Sequence, residues 1–306
     1  VNETSVKRGK NHCFFADRLF DRFMNIFSCA VWPVIIAAQV TLSAAVELIE
    51  TKQVNYRPTA TADETMKARC QLDVYQAKGA TDLPILLWFH GGGLTGGSKD
   101  SEETVAAARA LAQRGVIVVT VNYRLSPQVK YPAYIEDAAA AFQWVHQHAQ
   151  DYGGSVKKIF LGGHSAGGYL VLMLGSDQRW LATHQLVITE IAGVISLSGQ
   201  TVTHYTVRAE RGLSDTTIVV DQAAPLFYAS APCPPQLILY AEKDMEMRVE
   251  ENMLYLAARK KAGRKEVTGQ QVKDRDHGSI GGRIGQLGDQ VQQLIVDFIT
   301  APKNAK

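Results

Sequence analysis

A chain of 306 residues, 46% hydrophobic and 20% charged, is long enough to bury one sizeable core, alone or behind a leader. The formal charge is +2; residues 1–45 carry five basic and three acidic side chains, and the remainder carries 27 of each sign. A neutral body excludes a strong field for nucleic acid or an anionic membrane, so the expected partner is a small, neutral molecule.

The stretch from Ile26 to Val46 is uncharged and follows Arg18 and Arg22. Ser43 and Ala45 stand as small residues before a cut ahead of Val46, the pattern of a secretory signal peptide, which predicts export. An uncleaved membrane anchor is the competing reading, since about 20 apolar residues span a bilayer. Residues 1–45 are therefore expected as a leader and 46–306 as one domain, with no stable membrane association once the leader is removed. Of the four cysteines, Cys13 and Cys29 fall in the leader. Cys70 and Cys233 are expected as isolated thiols rather than a disulfide. No CxxC pair or Cys/His cluster exists, so no metal site is expected.

The body alternates strand-like and helix-like segments. Leu72–Tyr75 and Ile85–Phe89 read as strands, residues 101–113 as an alanine-rich helix, and the β-branched run Val116–Val121 as a strand buried on both faces. A helix over 134–149, a strand at Ile159–Leu161 and a helix over 166–174 follow. Further strands are expected at Val194–Leu197, Gln236–Ala241 and Gly269–Lys273, with helices over 246–261 and 287–299. This alternation predicts a mostly parallel sheet with helices on both faces, whose ligands bind at the carboxyl ends of the strands. Residues 200–230 break the pattern and are expected to form a small lid.

Two glycine-rich turns carry the chemistry. Gly163-His164-Ser165-Ala166-Gly167 is a G-x-S-x-G segment between a strand and an apolar helix, the context in which a serine hydroxyl is lifted out of a sheet. Its helix N-terminus favours a developing anion. His164 reads as structural. His90-Gly91-Gly92-Gly93 follows the second strand, and consecutive glycines let backbone N–H groups turn toward one point. The amides of Gly92, Gly93 and Ala166 are the expected oxyanion donors. His90 is expected to brace the loop, because it precedes the serine, whereas this arrangement orders its residues serine, acid, histidine. That order points to an acid after the strand Gln236–Ala241, where Asp244 is preferred over Glu242 and Glu246. The base is His277, the one histidine after residue 204. Ser165 would be the nucleophile, His277 its base and Asp244 the group that orients the imidazole, with no cofactor required.

These motifs, with Asn122-Tyr123-Arg124-Leu125-Ser126-Pro127, resemble the carboxylesterase and hormone-sensitive-lipase-like branch of the α/β-hydrolases from about Leu72 onward. Histidine at 164 and the stretch Gly96-Gly97-Ser98-Lys99 lean toward its kynurenine-formamidase-like and feruloyl-esterase-like relatives. The resemblance implies an α/β-hydrolase fold, hydrolysis of a small ester or an aryl formamide, and packing or ion-pair roles for Tyr123 and Arg124. A long-chain lipase would need an apolar lid, and residues 200–230 are too polar for one. A non-catalytic binding protein on the same fold is the alternative from another class; the presence of both Ser165 and His277 argues against it.

Overall fold

The computed structural model describes residues 46–57 and 63–301. The expected leader, with Cys13 and Cys29, lies outside them. Eight strands form one sheet: β1 (Leu48–Asn55), β2 (Gln71–Ala77), β3 (Leu83–Phe89), β4 (Ile117–Val121), β5 (Gly154–His164), β6 (Gly193–Leu197), β7 (Gln236–Lys243) and β8 (Val267–Asp276). Their order is β1-β2-β4-β3-β5-β6-β7-β8. Pairing is antiparallel at β1/β2 and β2/β4 and parallel elsewhere. The helices are α1 (Glu64–Arg69), α2 (Glu102–Ala112), α3 (Ala133–His148), α4 (Ala166–Leu174), α5 (Arg179–Ala182), α6 (Tyr205–Glu210), α7 (Arg248–Lys261), α8 (Ser279–Gly282) and α9 (Gln290–Thr300).

The period-2 alternation of a strand explains how one sheet holds two cores. In β3, Ile85, Leu87 and Phe89 enter the core that includes α3 and α4, while Leu86 and Trp88 enter the one that includes α2 and α9. Every residue of α4 is buried, as its sequence AGGYLVLML requires: a helix apolar on all sides has no face to show to water. Four consecutive alanines, Ala138 to Ala141, keep the buried face of α3 thin. Among the described residues no helix is long and apolar enough to cross a membrane.

The structure adds elements that the hydrophobic pattern did not signal: β1 and the short helices α1, α5, α6 and α8. β1 is an edge strand paired only to β2, and it is largely solvent-facing, so its polar sequence LIETKQVN gives no alternation to read. The edge strand β8 extends beyond its apolar centre for the same reason. α7 starts at Arg248, two residues later than expected, because Met247 holds a left-handed backbone at φ 62°. α9 starts at Gln290, where the Asp289 carboxylate accepts from the Gln292 amide at 2.9 Å. Cys70 and Cys233 are both free thiols.

Residues 200–230, expected as a lid, contain α6 and a 3-10 turn at Pro225–Tyr228. From Gln200 to Arg208 every residue except Tyr205 is buried. Glu251 of α7 accepts from the Thr201 and Val202 amides at 3.0 and 3.1 Å, and Asn252 donates to the Gly199 carbonyl at 3.0 Å. The Thr201 hydroxyl donates to the Glu251 carbonyl at 2.8 Å; bonds of this kind let a polar stretch be buried, and together they fix its first half in place.

Arg124 and Asp137 form a buried, two-pronged ion pair at 2.9 Å for both bonds, and Arg57 adds a third contact to Asp137 at 2.8 Å. This pair ties the segment after β4 to α3. Removing one partner strands the other charge in the core, which typically costs about 3–5 kcal/mol. Asp137→Ala should therefore lower the unfolding free energy by roughly that amount in urea titration. A loss below about 1 kcal/mol would show that the pair is not holding the fold.

Candidate active site

Parallel pairing from β3 through β8 places the carboxyl ends of these strands on one edge of the sheet. Each sequence-predicted site residue stands at such an end. The triple glycine follows β3, Ser165 follows β5, Asp244 follows β7 and His277 follows β8.

Ser165 adopts φ 55° and ψ −114°, a conformation that a side chain rarely tolerates. Its amide donates to the Leu197 carbonyl at 2.8 Å, which pins the turn to the end of β6. The turn closes only because its glycines lack side chains. A Cβ on Gly163 would fall 2.4 Å from the carbonyl carbon of Gly167, and a Cβ on Gly167 would fall 2.0 Å from the Phe89 carbonyl oxygen.

Ser165 Oγ lies 2.8 Å from His277 Nε2, and His277 Nδ1 lies 2.6 Å from Asp244 Oδ1. The carboxylate can only accept, so the proton sits on Nδ1 and leaves Nε2 as the acceptor facing the hydroxyl. Asp244 is fully buried. Burial alone would raise its pKa, but hydrogen bonds from His277 and Ser198 outweigh it and hold the carboxyl below its usual value. Backbone amides of Ala241 and Met245 also donate to it, at 3.0 and 2.8 Å. Asp244 therefore stays ionised beside the imidazole. Of the two other carboxylates weighed from sequence, Glu242 accepts from the Asp274 amide at 3.1 Å, while Glu246 is exposed.

The loop after β3 is oriented through its carbonyls. In a trans peptide the C=O and the following N–H point in opposite directions. His90 Nδ1 donates to the Gly91 carbonyl at 2.7 Å, so the Gly92 N–H faces the other way. The Gly92 carbonyl accepts from the Gly96 amide at 2.9 Å, which turns the Gly93 N–H outward. The amides of Gly92, Gly93 and Ala166 have no hydrogen-bond partner among the described residues. Gly91 abuts the nucleophile turn, since a Cβ there would lie 3.3 Å from Ser165 Cβ.

His90 is itself held. Arg69 donates to its Nε2 at 3.3 Å, and Tyr123 stacks on its ring at 4.4 Å between centroids. Farther along, Lys99 forms a buried ion pair with Asp73 at 2.7 Å, and its amide donates to Asn122 at 2.7 Å. Lys99 thus bolts the loop to β2 and to the segment after β4. The insertion closes the loop from above: Thr206 donates to the Gly93 carbonyl at 2.5 Å. The Tyr205 hydroxyl occupies the space that a Gly93 side chain would need.

Sequence reasoning missed Ser198, which donates to Asp244 Oδ2, and Arg248, which donates to the Ser198 carbonyl. It also missed Arg69 and Thr206. None lies in a recognisable motif: Ser198 meets Asp244, and Arg248 meets Ser198, only where the ends of β6 and β7 are adjacent, and Arg69 and Thr206 reach the glycine loop from α1 and α6. Among the described residues no cluster of side chains could hold a metal ion.

A family model for BD-FAE matches residues 72–257, which span β2 to α7 and include the glycine loop, the serine turn and Asp244. The chain belongs to the BD-FAE family. This BD-FAE protein is 32% identical over 138 residues to carboxylesterase NlhH of Mycobacterium tuberculosis, covering 45% of this chain and 43% of that one. It is 39% identical over 98 residues to esterase LipI of the same organism, covering 32% and 30%. The chain thus spans less than half the length of these curated relatives. Among solved structures, a truncated carbohydrate esterase from gut microbiota matches with a TM-score of 0.68 at 18% identity, covering 84% of this chain and 97% of that one. An esterase from the archaeon Pyrobaculum calidifontis matches with a TM-score of 0.60 at 24% identity, covering 75% and 80%. Both likenesses establish the α/β-hydrolase fold.

Burial holds the His90 and His164 rings down at about 4. In the unfolded chain both would take up protons near their ordinary value of about 6.5. Between these values the unfolded state binds more protons, so stability falls as pH drops from about 6.5 toward 4. Urea unfolding should give a lower free energy at pH 5 than at pH 7, on the order of 1 kcal/mol per pH unit for each ring. His90→Gln should flatten that slope; an unchanged slope would show that His90 is protonated alike in both states.

Proposed function

We propose that this chain hydrolyses small carboxylic esters through an acyl-serine intermediate. One observation carries the reading: the hydrogen-bonded line from Ser165 through His277 to Asp244, at 2.8 and 2.6 Å. The relatives' names, carboxylesterase and esterase, support the same chemistry.

In the proposed reaction Ser165 Oγ attacks the ester carbonyl carbon while its proton passes to His277 Nε2. Negative charge collects on the former carbonyl oxygen, which accepts from the amides of Gly92, Gly93 and Ala166. Each such donor is typically worth about 3 kcal/mol of barrier. Asp244 stabilises the imidazolium. Collapse breaks the ester C–O bond, and His277 returns its proton to the departing alcohol. Water then repeats the sequence on the acyl-serine and releases the acid. No step requires a cofactor. The polar composition of residues 200–230 supports short acyl groups. Histidine at 164 keeps aryl formamides as the second reading, which the same machinery would serve.

A fluorophosphonate should label wild-type protein once per chain, and Ser165→Ala should abolish both labelling and hydrolysis of p-nitrophenyl acetate. Among p-nitrophenyl esters, kcat/KM should peak at short chains; preference for about ten carbons or more would contradict the small-ester reading. A kcat/KM strongly favouring N-formylkynurenine over p-nitrophenyl acetate would replace it with formamide hydrolysis. Asp244→Asn should lower kcat by about 10⁴, since the neutral amide no longer fixes the imidazole proton on Nδ1. Activity within about tenfold of wild type would remove Asp244 from the mechanism.

Export is proposed on the leader pattern of residues 1–45 alone. N-terminal sequencing of protein recovered outside the cytoplasm should begin near Val46; an intact leader would favour the anchor.

A further inference from the structure

His164 occupies the variable position of the G-x-S-x-G turn and takes no part in the reaction just described. Its surroundings are nevertheless specific. His164 Nε2 lies 2.6 Å from the main-chain carbonyl oxygen of His277. A carbonyl only accepts, so this contact fixes the His164 proton on Nε2. Two other loops open to admit the ring. A Cβ on Gly91, in the oxyanion loop, would fall 3.2 Å from its Nδ1, and a Cβ on Gly281, beyond the base, would fall 2.8 Å from its Cγ. The approach at Gly281 needs glycine, and the one at Gly91 is tight. The His164 and His277 rings lie 5.0 Å apart between centroids. His164 also lines a cavity of about 310 Å³, together with Trp88, Glu103 and Gly282. Part of the ring thus borders open space, and the hydrogen bond to the His277 carbonyl is a specific restraint on its position.

From this geometry we propose that His164 is a positioning residue for the base: its Nε2–H holds the His277 carbonyl and so sets the imidazole of His277 against Ser165. The physical sense is direct. His277 hangs from the end of β8, an edge strand with largely exposed residues, which gives its backbone little packing of its own. The hydroxyl and the carboxylate hold the ring, and the neighbouring backbone is pinned where Asp276 pairs with Lys243 and bonds Ser279; the His164 bond adds a hold on the His277 carbonyl itself. His164 is the residue immediately before Ser165, on the rigid end of β5, so its hydrogen bond ties the base's backbone to the nucleophile's own strand. Misplacement of a reacting group by about 1 Å can cost on the order of 10² in rate.

The inference rests on the serine-hydrolase reading, and its test separates the two. His164→Gln retains an amide donor close to the position of Nε2, whereas His164→Met has similar bulk and no donor. With folding of each checked by thermal melting, p-nitrophenyl acetate hydrolysis and the rate of fluorophosphonate labelling are measured against wild type and Ser165→Ala. His164→Met should lower kcat by about 10- to 100-fold with KM changed by less than about threefold, and should slow labelling in parallel. His164→Gln should recover most of both. A general packing defect would not be relieved by restoring a donor. Wild-type kcat in His164→Met, or a Gln variant no better than the Met variant, would overturn the proposal while Ser165→Ala remains inactive. A wild type inert to both reagents, or an active Ser165→Ala, would overturn the serine-hydrolase reading and this inference with it.

Discussion

The contact between Gly167 and the end of β3 is the constraint on which the rest depends. A methyl group at residue 167 would stand 2.0 Å from the Phe89 carbonyl oxygen. Only a bare α-carbon lets the first turn of α4 settle against the strand that carries the glycine loop. That approach brings the Ala166 amide beside the loop, and it allows Ser165 to hold its left-handed backbone with its hydroxyl out of the sheet. The strain at Ser165 persists because the Leu197 carbonyl, Gly163 and Gly167 together leave the turn no other path. Filling this gap would separate Ser165 and the Ala166 amide from the glycine loop.

Two kinds of rigidity meet at the site. The glycine loop has little conformational preference of its own. Its order comes from outside: from His90 and Gly96 on its carbonyls, from Thr206 above, and from the buried Lys99–Asp73 pair behind. The acid is fixed differently. Four donors, two from side chains and two from the backbone, satisfy the Asp244 carboxylate, so a fully buried charge remains a charge. In the proposed reaction both devices would place polar groups where they need not reorganise as charge develops.

Legibility in the sequence followed the same division. Strands buried on both faces, such as β3 and β4, announce themselves as apolar runs, and the two glycine motifs announce the turns. Asp244 and His277 could be picked by chain order, because few acids and a single histidine occupy the required places. Edge elements were harder: β1 and the outer parts of β8 face water and keep no periodic signal. Ser198, Arg248 and Thr206 were not legible at all. A serine after a strand or a threonine in a polar insertion has no distinguishing spacing, and its partner lies 46 residues away for Ser198 and 113 for Thr206. Residues 200–230 broke the pattern for a related reason: in the first part of the run polar side chains such as Thr201 and Thr206 bond buried backbone carbonyls, which composition cannot distinguish from exposure to solvent.

In the proposed reaction the outward amides of Gly92, Gly93 and Ala166 converge on the oxygen of a tetrahedral adduct at Ser165. A crystal structure of the protein after reaction with a small alkyl fluorophosphonate tests this most directly. Phosphorus should be bonded to Ser165 Oγ, with its phosphoryl oxygen about 2.7–3.1 Å from those three nitrogens. An adduct on another residue, or a phosphoryl oxygen turned away from the glycine loop, would contradict it.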